Sequence, residues 1–149
     1  MYTIEKEFNH SGYRCVVTNM VEAGHRCGYV AVPEGHALFG VDYSENLFPR
    51  SLIENEPTGD RGVIPMLCAA HSDDDMISLD VLIDVHGSIT FSQGWQEGYP
   101  VSSQTPVWWF GFDCAHAGDN PITCDTEYVT KHCIKLADQL ERYKCNSNG

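Results

Sequence analysis

The chain of 149 residues lacks any long hydrophobic run, and none approaches the roughly 20 apolar residues that a membrane span needs. Its start does not resemble a secretory leader, because Met1–Phe8 alternates apolar and charged residues instead of running basic and then apolar. With 42% hydrophobic and 20% charged residues, the composition excludes disordered and fibrous classes. These absences predict a cytoplasmic, globular protein with no membrane partner.

Basic residues are also scarce, with 9 Lys and Arg against 21 Asp and Glu, for a net charge of −12. Between Arg61 and Lys131 there is no Lys or Arg, and that stretch carries ten of the acids. Such a surface repels phosphate backbones, so we expect no direct nucleic-acid binding. A solvated acidic face, a cation site without competing bases and an acidic decoy for a basic partner all remain open.

Close cysteine pairs are missing as well. No two of the seven cysteines have C-x-x-C spacing, so the sequence contains no recognisable zinc or redox motif. In a reducing cytoplasm we expect free thiols, with Cys15 and Cys133 in the core. Cys114 and His116 are too close along the chain to form a Cys–His nucleophile, which is normally built from separate elements. Serine-hydrolase, phosphate-loop, dinucleotide and H-E-x-x-H motifs are absent, so the sequence identifies no catalytic residues.

Hydrophobic alternation predicts several strands. They are Tyr2–Phe8, Tyr13–Asn19, Cys27–Val32, Pro106–Cys114 and, as a long strand or a tight hairpin broken at Gly87, Met76–Phe91. A short strand is predicted at Gly62–Cys68, an acidic turn at His71–Asp75, and loop with at most a short helix from Glu34 to Gly62.

One long helix is predicted at about Thr126–Tyr143, with an apolar stripe that includes Val129, Cys133 and Leu140. Asp125 or Thr123 can cap its start. The sum is a single α+β domain over residues 1–149, an antiparallel β-sheet with a long C-terminal helix packed on it and a frayed tail at about 145–149.

Acids and histidines collect at the ends of two predicted strands. Alternation places Asp84 and His86 on one polar face, roughly 7 Å apart. Asp113, His116 and Asp119 recur every three residues, so one helical turn would put them on one side. His and Asp ligate Zn²⁺ or Mn²⁺, and these five residues form our candidate metal site. Turn and cap hydrogen bonds explain the same acids equally well.

Two further features suggest a ligand pocket. Glu34 and His36 lie in a Pro-Gly turn after a strand, from which either side chain can reach a ligand. Trp109 and Asp113 are predicted to lie on the same face of their strand, on either side of Gly111. The segment is rich in aromatic residues, which suits base stacking or a protein contact. The candidate ligand-binding set is Glu34, His36, His86, Trp109, Asp113, His116 and Asp119.

Three segments together carry a family resemblance: Cys27-Gly-Tyr-Val with Pro33-Glu-Gly-His36, Asp84-Val-His-Gly87 with Thr90, and Trp109-Phe-Gly-Phe-Asp-Cys-Ala-His-Ala-Gly-Asp119. The chain resembles a family of small uncharacterised phage and prophage proteins that carry a G-F-D-C-x-H-A-G-D signature. Ser88 and Ala37 depart from that pattern, where the family tends to have Gly and Pro. The resemblance implies a phage origin and no specific catalytic role.

The sequence therefore favours a phage accessory protein that acts by binding. The expected role is a counter-defence inhibitor, either anti-CRISPR-like or sequestering an immune signal, with a host protein or a small nucleotide-like ligand as partner. In the nucleotide case Arg26 and Arg61 would have to supply the phosphate contacts. The alternative is a small metal-dependent hydrolase with a His/Asp site.

Overall fold

The computed structural model describes residues 1–54 and 76–144. The elements are β1 (Tyr2–His10), β2 (Tyr13–Met20), β3 (His25–Pro33), β4 (Asn46–Pro49), α1 (Ser51–Glu54), β5 (Met76–Ser78), α2 (Leu79–Leu82), β6 (Phe91–Gly94), β7 (Val107–Asp113) and α3 (Thr126–Arg142). A single 3-10 turn, Trp95–Glu97, follows β6. The predictions for Gly62–Cys68, His71–Asp75 and the tail at 145–149 lie outside the described residues.

Five strands form one antiparallel sheet in the order β1-β2-β3-β7-β6. The first hairpin turns at Ser11 and Gly12, which both have positive φ, as tight hairpin turns require. β3 and β7 pair from Cys27 opposite Asp113 to Pro33 opposite Val107. The predicted α+β architecture is confirmed, and β7 lies next to the centre of the sheet.

Helix α3 packs on one face of this sheet and closes the main core. Its apolar stripe is fully buried at Val129, Cys133, Leu136 and Leu140. The Tyr128 backbone N–H donates to the Asp125 carboxylate at 2.9 Å, so Asp125 is the N-cap and Thr123, the other candidate, is not. No helix in the described ranges is long and apolar enough to cross a membrane.

The opposite face of the sheet buries a smaller cluster around Trp109, with Val16, Tyr29 and Ala31. Alternation along β7 separates the two faces, because Phe110 and Phe112 point into the main core while Trp109 points away from it. Trp109 is completely buried, so it does not line an open pocket. Trp109 and Asp113 are at alternate positions of β7 and so share a face, as predicted, but the buried indole has no surface open to a ligand.

The prediction for Met76–Phe91 is wrong in both of its forms, because the segment is neither one long strand nor a tight hairpin broken at Gly87. The segment is β5, α2, an irregular stretch from 83 to 90, and β6. Its alternate residues Ile77, Leu79, Ile83, Val85 and Ile89 are nonetheless buried, which explains the pattern.

Three backbone groups of the irregular stretch, at Asp84 and His86, are bonded to α3 side chains, and the Thr90 N–H donates to Gly111 of β7. Asp84 N–H donates to Gln139 Oε1, Gln139 Nε2 donates to Asp84 O, and His86 N–H donates to His132 Nδ1. Side-chain partners of this kind satisfy the backbone while leaving it free to bend, as Gly87 and Ser88 do with positive φ. A second departure from prediction is β4, which occupies part of the expected loop and pairs with β5.

Candidate metal site

A compact group of four potential metal ligands lies where β7 ends and α3 begins. One ligand atom from each of His86, Cys114, Asp119 and Cys124 lies within 4.8 Å of every other. His86 Nε2 is 3.0 Å from Asp119 Oδ2 and 3.9 Å from Cys124 Sγ. Ligand atoms around a tetrahedral Zn²⁺ are separated by roughly 3.3–3.8 Å, so closure on an ion needs movements of about an ångström or less.

Both cysteines are held by Arg26 on β3. The Cys114 N–H donates to the Arg26 carbonyl at 3.0 Å, which extends the β3–β7 pairing by one residue. The Arg26 guanidinium donates to the Cys124 carbonyl at 3.2 Å and pairs with Glu5 at 2.7 Å. Because Arg26 is fully engaged in holding this site, it is not available as the phosphate contact that a nucleotide pocket would need.

His86 is oriented by two groups on α3. Its Nδ1 is hydrogen-bonded to Tyr128 Oη at 2.8 Å, and its backbone N–H donates to His132 Nδ1 at 3.1 Å. The ring therefore presents Nε2 to the other three residues. Metal-binding histidines commonly use the second ring nitrogen in this way, to fix the tautomer and the orientation of the ring.

Burial and hydrogen bonding shift the pKa values of two of the four potential ligands, Cys114 and Asp119. Burial raises the pKa of the Cys114 thiol, and the neighbouring Cys124 side chain adds to the rise. The hydrogen bond from His86 lowers the pKa of Asp119. Cys114 is therefore a neutral thiol without a metal, and an ion that binds it as a thiolate must displace its proton.

A second pair lies immediately beside this cluster. His116 Nε2 is 3.2 Å from Asp113 Oδ1, and Asp113 also accepts from the Ala115 N–H and the Thr90 hydroxyl, both at 3.1 Å. A Cβ on Gly87 would lie 2.3 Å from His116 Nε2, so only glycine lets the ring approach so closely. The pair is joined to the cluster by the His116 N–H, which donates to Asp119 Oδ2.

Two of the five residues in the predicted metal site, His86 and Asp119, belong to the cluster, and Asp113 and His116 lie next to it. Asp84 does not, because its side chain is 82% exposed and pairs with Lys135 at 2.9 Å. The structure also places Glu34 on the exposed end of a turn and Trp109 within the core on the far side of the sheet.

His36 is a core residue and not an open ligand group. The Leu38 N–H donates to its Nδ1 at 3.0 Å, and its Nε2 is hydrogen-bonded to the Leu140 carbonyl at 2.9 Å. Burial lowers the pKa of His36. The ring is therefore held neutral, with Nε2 as the donor, because a carbonyl can only accept.

We expect His36 to make folding weaker in mild acid. The unfolded ring takes up a proton near pH 6.5 whereas the folded ring resists it, so this contribution to stability is complete above that pH and is lost as the pH falls below it. Urea midpoints measured from pH 5 to pH 7.5 should rise with pH, and His36→Gln should flatten that rise. The matched control is His10→Gln, which removes a partly exposed histidine. An unchanged slope in His36→Gln would contradict the assignment.

The metal site predicted from the sequence did not include Cys114 or Cys124, which the structure places in the cluster. Cys114 and Cys124 are ten positions apart, so no spacing motif identifies them. One signal is present in retrospect, since Cys114 follows the last residue of a strand and Cys124 precedes the N-cap of a helix. Two thiols that bracket a loop containing His116 and Asp119 are placed to converge once strand and helix pack together.

Comparison of the chain with protein-family models, with curated proteins and with solved structures finds no significant match. Its family is therefore not shown, and its candidate site is defined by geometry alone.

Proposed function

We propose that this chain is a zinc-binding protein, with His86, Cys114, Asp119 and Cys124 as the ligands of a single ion. The observation that carries the proposal is the convergence of the four ligand atoms within 4.8 Å of one another. His, Cys and Asp are the residues that bind Zn²⁺ in proteins, and four ligands match its tetrahedral preference. The two thiolates favour Zn²⁺ over Mn²⁺, which prefers oxygen ligands.

The surroundings of the cluster support this assignment. Cys114 and Cys124 are almost completely buried, whereas His86 and Asp119 keep a small exposed fraction through which an ion can enter. The Tyr128 hydroxyl is positioned to accept from His86 Nδ1 while Nε2 binds the metal. An ion here would join three parts of the chain: the end of β7, the start of α3 and the irregular stretch before β6.

Removal of either thiol should abolish zinc uptake. Protein purified without chelator is expected to carry one zinc per chain by native mass spectrometry and elemental analysis. Cys114→Ala and Cys124→Ala should each lose it, because a buried site deprived of one thiolate retains neither the charge nor the geometry that zinc requires.

Cys27→Ala is the matched control for these variants. Cys27 is equally buried but belongs to the cluster around Trp109 on the opposite face of the sheet. It should keep its zinc. Wild-type protein that contains no zinc when purified under reducing conditions from zinc-supplemented medium would contradict the proposed function.

The wider biological role stays a prediction. The phage origin and the counter-defence role rest on the sequence resemblance, and a host protein as partner remains compatible with a zinc site that stabilises the fold. The alternative hydrolase is favoured by one specific observation, the His116–Asp113 pair beside the cluster.

A further inference from the structure

We infer that the proposed zinc site is hydrolytic, with Asp119 as an exchangeable ligand, His116 as the general base and an uncharged carbonyl compound as the substrate. This inference rests on the proposed function, because the chemistry requires the metal. It differs from a purely stabilising site in two respects: a water molecule must be able to bind the ion, and a base must lie beside that water.

Asp119 differs from the other three ligands. Cys114 and Cys124 are anchored at the end of a strand and the start of a helix, whereas Asp119 lies in the exposed turn between them. Two thiolates already neutralise the charge of Zn²⁺, so the carboxylate is not needed for charge balance. Its Oδ2 also has a second partner, the His116 N–H, which can hold the carboxylate when it leaves the ion.

His116 has the surroundings of a general base. The carboxylate of Asp113 lies 3.2 Å from Nε2 and is itself fixed by the Thr90 hydroxyl and the Ala115 N–H. The backbone N–H of His116 donates to Asp119 Oδ2, so the imidazole lies beside the proposed exchangeable ligand. The rings of His86 and His116 are 6.1 Å apart, and the His116 side chain is 40% exposed. A proton can therefore pass between the metal-bound water and His116 at the open side of the site.

The charge around the site selects the substrate. Asp113 and Asp119 place two carboxylates at the site, Arg26 is paired with Glu5, and the sequence contains no Lys or Arg from 62 to 130. Phosphate esters would be repelled, while the uncharged carbonyl group of an ester or amide would not.

In the proposed reaction the imidazole of His116 removes a proton from the water that zinc would hold. The oxygen of the resulting hydroxide forms a bond to the carbonyl carbon, and the bond from that carbon to the alcohol or amine breaks. His116 returns its proton to the departing group. The net reaction consumes one water and yields an acid and an alcohol or amine.

Hydrolysis of 4-nitrophenyl acetate by zinc-loaded protein tests the inference. His116→Gln should lower kcat/KM by about 100-fold with zinc content unchanged. Asp113→Asn, which alters a positioning residue, should lower kcat while KM and zinc content stay the same. The matched control is His10→Gln, because His10 forms a similar pair with Asp138 at 2.9 Å far along the sheet and should leave the rate unchanged.

Zinc content separates the inference from the proposed function. Asp119→Asn should retain zinc, in contrast to Cys114→Ala. If Asp119→Asn loses zinc as completely, or if zinc-loaded wild type hydrolyses the ester no faster than His116→Gln, the hydrolytic inference is overturned while zinc binding stands. If wild type holds no zinc, both are overturned.

Discussion

Zinc added to metal-free protein is expected to raise its Tm by about 10 °C. An ion that binds only the folded state stabilises it by about 4 kcal/mol at a free concentration 1,000 times its Kd, and each kcal/mol moves the Tm of a domain of this size by roughly 2–4 °C. The physical reason is that the ligands come from three separate segments, which are brought together only by folding. Differential scanning calorimetry under reducing conditions, with and without chelator, measures the shift.

Two controls test whether the increase in Tm comes from zinc bound at the proposed site. Cys124→Ala should melt at the same temperature with and without zinc, and Mg²⁺ should have no effect on wild type, because hard cations avoid thiolates. If Cys124→Ala gains as much Tm from zinc as wild type does, the ion binds elsewhere in the chain and the cluster is not its site.

Truncation of Trp109 is expected to have the other large effect. Trp109 is the largest fully buried side chain of the described residues, packed with Tyr29 on the face opposite α3. Trp109→Ala removes that burial and leaves a cavity, which should reduce the free energy of unfolding by about 3–5 kcal/mol. Urea denaturation followed by circular dichroism gives the value.

Trp109→Phe should cost far less, under about 1.5 kcal/mol. Among the described residues the Trp109 indole N–H is buried and has no hydrogen-bond partner, so phenylalanine keeps most of the packing and removes an unsatisfied donor. Both variants should bind zinc as wild type does, because Trp109 lies on the other face of the sheet. A loss in Trp109→Phe as large as that in Trp109→Ala would contradict the interpretation of the indole N–H as a buried donor without a partner.

The architecture was predictable because its strands and helix are set by local patterns. Alternation over Tyr2–Phe8, Tyr13–Asn19 and Pro106–Cys114 and the apolar stripe of the C-terminal helix each depend only on which side chains face the core. Hydrophobic alternation gave a wrong prediction of a strand at Met76–Phe91. Alternate burial occurs there without a strand, because Gln139 and His132 supply the hydrogen bonds that a neighbouring strand would otherwise supply.

The candidate site was predictable only in part. The residue types and local spacing of His86, Asp119, Asp113 and His116 are visible in the chain, and they were enough to predict a polar cluster that includes these four residues. Strand-like alternation predicted that Asp84 and His86 lie on the same face. The backbone from Asp84 to His86 is irregular, however, and the Asp84 side chain pairs with Lys135 instead.

What the sequence determined by itself is the class of fold, the acidic character of the central segment and the residue types available for chemistry. The tertiary structure alone decided which of those residues meet. Cys114 and Cys124 converge because Arg26 holds one by backbone pairing and the other through its side chain, and His86 joins them because Tyr128 and His132 on α3 turn it inward. These are contacts between residues far apart along the chain, which no local pattern encodes.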